Sequence, residues 1–147
     1  MTRLELRAIA ATDTRPLRQH VLRPHQAPEA LVYPGDDAPD TLHVGAYLDG
    51  QQVGVASVLR EAPPGESDPA AWRLRGMAVL PGLQGAGRGR ALLEACLAHA
   101  RARGGARLWC NARTSAAGFY ARLGFAAQGA EFELPGIGPH LVMSRRL

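Results

Sequence analysis

Residues 73–90, RLRGMAVLPGLQGAGRGR, have the types and spacing to hold an anion. Arg73 to Leu80 is short, rich in Leu, Met and Val, and stopped by Pro81-Gly82, which predicts a strand ending in a turn. Beyond Gly85, Gly87 and Gly89 lie Leu92, Leu93, Cys96, Leu97 and Ala100, at the i, i+1, i+4, i+5, i+8 spacing of one buried face of a helix reaching about Arg103. Glycines at a helix entrance let a ligand approach the backbone, and the first N–H groups of the helix stand unpaired at the positive end of its dipole. A pyrophosphate suits such a place, and Arg88 and Arg90 add positive charge around it. Spacing argues against two other phosphate loops. Gly82 to Gly87 has the glycine interval of a P-loop, but Arg88 and Gly89 replace the Lys and the hydroxyl residue that it requires. Gly85 and Gly87 begin a dinucleotide fingerprint, but Arg90 takes its sixth position in place of Gly or Ala.

Four further groups could do chemistry. Ala116, Phe119, Tyr120 and Leu123 form an i, i+3, i+4, i+7 stripe, and by periodicity alone Tyr120 is a core tyrosine. Arg73 and Arg75 share one side of an alternating strand, opposite Leu74 and Gly76, either as a solvated flank or as a clamp for an acidic acceptor's carboxylate. His140 follows Gly138-Pro139 at a strand start, a structural histidine or a substrate contact. Cys96 and Cys110 fall on apolar elements with no CxxC or His-Cys cluster, so they read as buried thiols, and no metal site is expected.

The hexapeptide Gln84-Gly85-Ala86-Gly87-Arg88-Gly89 resembles the Q/R-x-x-G-x-G/A signature of the GNAT superfamily of N-acetyltransferases. Ala116-Ala117-Gly118-Phe119-Tyr120-Ala121-Arg122-Leu123-Gly124-Phe125 looks like the second signature of that superfamily, A-x-x-F-Y-x-x-x-G-F. The resemblance covers residues 42–147 well and the first forty by element order only. It implies acetyl-CoA as co-substrate, with its pyrophosphate on Gln84, Gly85, Ala86, Gly87, Arg88, Gly89 and Arg90 and its pantetheine arm beside Met77, Ala78 and Val79. Phe119 joins that cofactor set. In the superfamily the Tyr of the F-Y pair protonates the departing thiolate, which implies Tyr120 as general acid. The resemblance further implies an acceptor that is a primary amine of a small molecule or peptide and attacks directly. A coenzyme A-binding module without catalysis is the alternative. Two departures from the pattern matter. Where some members carry a Glu on the central strand this chain has Arg73 and Arg75, which leaves the base open among Glu131, Glu133, His140, His43 and a water chain. The common Asn seven residues before the Tyr is Arg113 here, either a cofactor contact or a loop charge.

With 147 residues, 46% of them hydrophobic, the chain has the material for one domain, read as a single N-acetyltransferase unit over 1–147. Its net charge of +4 comes from Arg, since there is no Lys, and the arginines are dispersed among only 5% aromatics. That pattern argues against a nucleic-acid partner. No run of eighteen apolar residues and no signal-peptide pattern is present, so a cytoplasmic protein without a membrane partner is expected, with a homodimer left open. Leu4 to Ile9 alternates as a first strand, and Asp13 or Thr14 is placed to cap a helix bearing Pro16, Leu17, Val21 and Leu22. Pro24 to Asp40 is a loop or broken helix, and residues 42–48 and 53–59 make a hairpin around Asp49-Gly50. Strand 72–80, helix 88–103, strand 106–112, helix 115–123 and strands 125–133 and 140–146 follow. The expected fold is α/β (α+β), a single mixed, mostly antiparallel sheet with helices on both faces.

Overall fold

Residues 3–147 are described by the computed structural model. The strands are β1 (Leu4–Ala8), β2 (Leu42–Leu48), β3 (Gln51–Arg60), β4 (Ala71–Val79), β5 (Arg107–Arg113), β6 (Ala126–Leu134) and β7 (Gly138–Arg146). They form one seven-stranded sheet in the order β1-β2-β3-β4-β5-β7-β6. All neighbours are antiparallel except β4 and β5, which are parallel. A parallel pair needs a crossover, and the helix between them, Arg88–Ala102, supplies it. The hairpin turn between β2 and β3 has both central residues at positive φ, Asp49 at 51° and Gly50 at 80°, the conformation that matches strand twist.

A 3-10 turn (Ala11–Thr14), a short helix α1 (Arg15–Leu17) and a π turn (Arg18–Leu22) run on as one helical stretch. Its Leu17, with Val21 and Leu22, packs on Val55 and Ala78 on one face of the sheet. On the other face lies α2 (Arg88–Ala102), whose predicted stripe of Leu92, Leu93, Cys96, Leu97 and Ala100 is buried against Val44, Val58, Trp72 and Leu74. A 3-10 turn (Thr114–Ala116) leads into α3 (Ala117–Arg122), which brings Tyr120 into the same core. Among the described residues no helix is long and apolar enough to cross a membrane.

At three places the structure refines the local reading. The helix with Pro16 in its first turn, α1, has Thr14 at its N-cap, one of the two expected positions, but the Thr14 hydroxyl donates to the Ala11 carbonyl at 2.6 Å and caps no helix N–H, while the Asp13 carboxylate accepts the Ala10 N–H at 3.3 Å at the start of the preceding 3-10 turn. The segment after it contains only the 3-10 turn Pro28–Ala30 and turns, but it buries Leu31 and Asp36. Pairing of β7 with β6 starts at Gly138, two residues before the strand expected at 140, which shortens the connecting turn to residues 135–137.

Two irregularities in β4 create the cleft. It pairs with β5 only over Ala71, Trp72 and Arg73, opposite Arg107, Leu108 and Trp109. Beyond that point β5 stays with β7 and β4 with β3, so the strands diverge. On its other edge Arg75 faces Ser57 and Ala78 faces Val55, leaving two residues of β4 opposite Ala56 alone. This is a bulge at Gly76 and Met77, and its φ of 63° at Gly76 favours glycine.

Candidate active site

The divergence of β4 and β5 opens a cavity of about 430 Å3 whose wall includes Arg75, Ala78, Asn111, Arg113, Tyr120 and His140. A second cavity, of about 530 Å3, lies over the glycine loop and is bounded by Gly85, Gly87, Gly89, Arg90 and Phe119. Met77, Val79, Gln84, Ala116 and Tyr120 border both, so the Tyr120 side chain stands at their junction.

Around the loop, Gly82, Gly85 and Gly87 have φ of 85°, 88° and 81°, and open space surrounds the place of a Cβ at each. Gly87 is the N-cap of α2 and brings no side chain to its free N–H groups. The first N–H to turn inward is that of Ala91, bonded to the Gly87 carbonyl at 2.9 Å. Those of Arg88, Gly89 and Arg90 precede it and have no partner within the helix. Both arginine side chains of this stretch have local partners. Arg88 Nη1 donates back to the Leu83 carbonyl at 2.9 Å, and Arg90 pairs with Glu94 at 2.8 Å on the surface. Ala86 in the loop and Arg88 at the first position of α2 line neither cavity. Gln84 Nε2 donates to the Val79 carbonyl at 3.3 Å, bracing the loop on the end of β4. The open glycine cradle, the bare helix N-terminus and the edge of β4 left unpaired beyond Arg73 together fit a pyrophosphate with an extended arm.

Tyr120 is 8% exposed, with its ring edge-on to Phe119 and Phe125. Its hydroxyl meets the Met77 sulfur at 3.8 Å, a weak acceptor. Burial, reinforced by the neighbouring Cys110 and Cys96, pushes its phenol well above the ordinary range, so it holds its proton at neutral pH. Burial likewise raises the thiols of Cys96 and Cys110 to about 12, leaving them unreactive.

The far side of the cleft rests on a buried charge cluster. Arg18, fully buried, donates to both carboxylate oxygens of Asp36, at 2.7 and 3.1 Å, and also to Ser57 Oγ and the Leu31 carbonyl. Arg75 Nη2 donates to the same carboxylate at 3.0 Å, and the Tyr33 ring lies against both guanidiniums. Burial would raise the Asp36 carboxyl, but the Arg18 hydrogen bonds, the Tyr33 N–H and the charge of Arg18 outweigh it and hold it at about 2. His43 is used up here, between Ser57 Oγ at 2.6 Å and the Asp36 carbonyl at 2.9 Å.

Arg73 holds Glu61 at 2.7 Å, lies over the Trp109 ring, and with Arg75 lines a third cavity that adjoins the first. Arg113 donates to the Leu22 carbonyl at 2.9 Å and lines the diverging-strand cavity, not the one over the glycine loop. Glu131 and Glu133 are exposed on β6 and border neither main cavity. His140 is buried in the wall, with Nδ1 at 2.8 Å from the Gly138 carbonyl. Sequence reasoning missed Arg18, Asp36 and Asn111. For Arg18 a signal existed: it falls inside the apolar stripe of Leu17, Val21 and Leu22, where a solvated residue would not be placed.

Residues 15–147 match the family model for the acetyltransferase (GNAT) domain. The chain is 39% identical over 145 residues to the uncharacterized N-acetyltransferase YitI of Bacillus subtilis, covering 98% of this chain and 97% of that one. Escherichia coli ElaA has the same fold, with a TM-score of 0.76, 18% identity and coverage of 99% of both chains. So has the PaiA N-acetyltransferase of Thermoplasma acidophilum, solved in complex with coenzyme A, with a TM-score of 0.68, 14% identity and coverage of 99% of both chains. With its single mixed sheet, its glycine loop at the head of α2 and these relatives, the chain belongs to the GNAT family of N-acetyltransferases.

Proposed function

We propose that the protein transfers an acetyl group from acetyl-CoA to a primary amine of a small molecule or peptide by direct attack. The observation that carries this reading is Tyr120, which borders both the glycine-loop cavity and the diverging-strand cavity, with its hydroxyl against Met77, a residue bordering both as well. When bound, acetyl-CoA supplies an activated acetyl thioester. The unpaired N–H groups of residues 88–90 and the cradle of Gly85 and Gly87 hold the pyrophosphate, and Phe119 flanks it. The free edge of Met77, Ala78 and Val79 takes the pantetheine arm as an added strand and offers a backbone N–H to the acetyl oxygen. Tyr120, kept protonated by burial, donates to the departing sulfur.

For the base, His140 is the best placed of the four side chains. A carbonyl only accepts, so its Nδ1 carries the hydrogen bonded to Gly138, and in the neutral ring Nε2 keeps a lone pair for the amine proton. Of the others, His43 is bonded at both nitrogens, and the two glutamates lie outside both main cavities.

Calorimetry on Gly87→Glu and Gly87→Ala tests the cofactor placement. Both variants put a side chain at positive φ, at a cost of about 1–2 kcal/mol, but only Glu adds a carboxylate to the cradle. Coenzyme A affinity is expected to drop at least about tenfold further in Gly87→Glu than in Gly87→Ala, the equivalent of 1.4 kcal/mol of repulsion. Equal affinities in the two variants would place the pyrophosphate elsewhere.

A further inference from the structure

We infer that the acceptor amine also carries an anionic group, a carboxylate or a phosphate, which Arg75 holds in the part of the cleft remote from the glycine loop. The inference rests on the acetyltransferase reading above. Its first ground is charge balance in a dry place. The side chains of Arg18, Asp36 and Arg75 are 0%, 2% and 8% exposed, and two guanidiniums share the one carboxylate. Arginine does not shed its proton, so one positive charge is left over in a site from which water is largely excluded. Burial, then the charges of Arg73 and Arg18, oppose the charged form of Arg75, and Asp36 offsets them only in part.

The second ground is which donors are spent. Both oxygens of Asp36 are already held by Arg18, and Arg75 contributes only its Nη2 to them. Its Nε is buried without a partner, while the side chain borders both the diverging-strand cavity and the adjoining cavity of about 260 Å3. The third ground is the composition of those walls. Arg23, Arg73, Arg75, Arg113 and His140 contribute to them, and no Asp or Glu does. Asn111 borders both cavities, and its Oδ1 is buried with no partner, an acceptor suited to an amine N–H. An acceptor with one amine and one anion therefore meets a polar group for each end. A diamine brings a second cation among these arginines, with no carboxylate in either wall to meet it.

The test measures coenzyme A release with a thiol-reactive dye for β-alanine, phosphoethanolamine, ethanolamine and putrescine, and titrates each into the coenzyme A-bound protein. β-Alanine or phosphoethanolamine is expected to exceed ethanolamine in kcat/KM by at least about tenfold, as one charge-assisted contact provides. Which of the two wins identifies carboxylate or phosphate. In Arg75→Met, where Arg18 still holds both oxygens of Asp36, that preference falls towards one while coenzyme A affinity is retained. Equal or better use of ethanolamine or putrescine overturns the inference and leaves the acetyltransferase reading in place. So does a result in which neither anionic amine is acetylated or bound. Failure of coenzyme A itself to bind would remove the acetyl-CoA reading and this inference together.

Discussion

Replacing Tyr120 by Phe is expected to lower turnover by roughly 10²- to 10⁴-fold, the usual worth of a positioned general acid. The ring keeps its edge contacts with Phe119 and Phe125, and the hydroxyl gives up only a 3.8 Å approach to the Met77 sulfur. Folding and coenzyme A affinity should therefore stay close to those of the parent. The loss is expected in kcat with KM for acetyl-CoA little changed, because the missing interaction belongs to the transition state. Steady-state kinetics with any accepted amine, beside a calorimetric coenzyme A titration, make the comparison. A Phe variant with parental turnover would make Tyr120 a core residue and leave protonation of the sulfur to water. An intact coenzyme A site with no turnover in the parent on any amine would favour the module without catalysis.

The Asp36→Asn substitution should have the largest effect on stability. It removes the charge that faces Arg18, a side chain with no exposure, and breaking a buried pair in this way costs about 3–5 kcal/mol. For a chain of this length that corresponds to a fall in Tm of roughly 10–15 °C by thermal melting. Acid should reproduce part of the effect in the parent. The carboxyl is held at about 2 in the folded state against 3.8 ordinarily, so the unfolded chain takes up the proton first. A group with its folded value depressed stabilises the protein above the unfolded value and loses that contribution as pH falls through the folded one. Stability of about 2 kcal/mol should thus disappear between pH 4 and pH 2, and this component of the acid dependence should be missing from Asp36→Asn. Melting of the Asn variant within 2 °C of the parent at neutral pH would show that the cluster does not hold the fold.

The glycine loop at the head of α2 was legible because its determinants are local. Three glycines, a preceding apolar strand and the stripe from Leu92 to Ala100 lie within one strand, turn and helix, and the turn at Asp49-Gly50 is local in the same way. The charge cluster on the far side of the cleft was not legible, because its residues are distant in sequence. Arg18, Asp36 and Arg75 lie on a helical turn, an irregular loop and the central strand, and only the folded chain joins them. Arg75 was placed on the correct side of β4, yet nothing near it in the sequence indicates that Asp36 occupies one of its donors. Arg88 and Arg90 show how local partners redirect a side-chain charge. Their charges suggested anion contacts, whereas their guanidiniums meet the Leu83 carbonyl and the Glu94 carboxylate, with Arg90 still bordering the cavity over the glycine loop.

The short pairing of β4 with β5 divides the sheet mechanically. Within the sheet three hydrogen-bonded residue pairs join β1 to β4 on one side with β5, β7 and β6 on the other, and the chain itself crosses between the two groups through α2. That join is stiff where it exists. Trp72 and Trp109 are both buried there, Arg60 and Arg73 lie over their rings, and the Trp109 indole donates to the Glu61 carbonyl at 2.7 Å. The two strands thus form a V, closed at the tryptophans and open at Met77 and Asn111. Past Arg73 and Trp109 no ladder ties the two strands, so the opening at Met77 and Asn111 has no backbone hydrogen bond between β4 and β5 to fix its width.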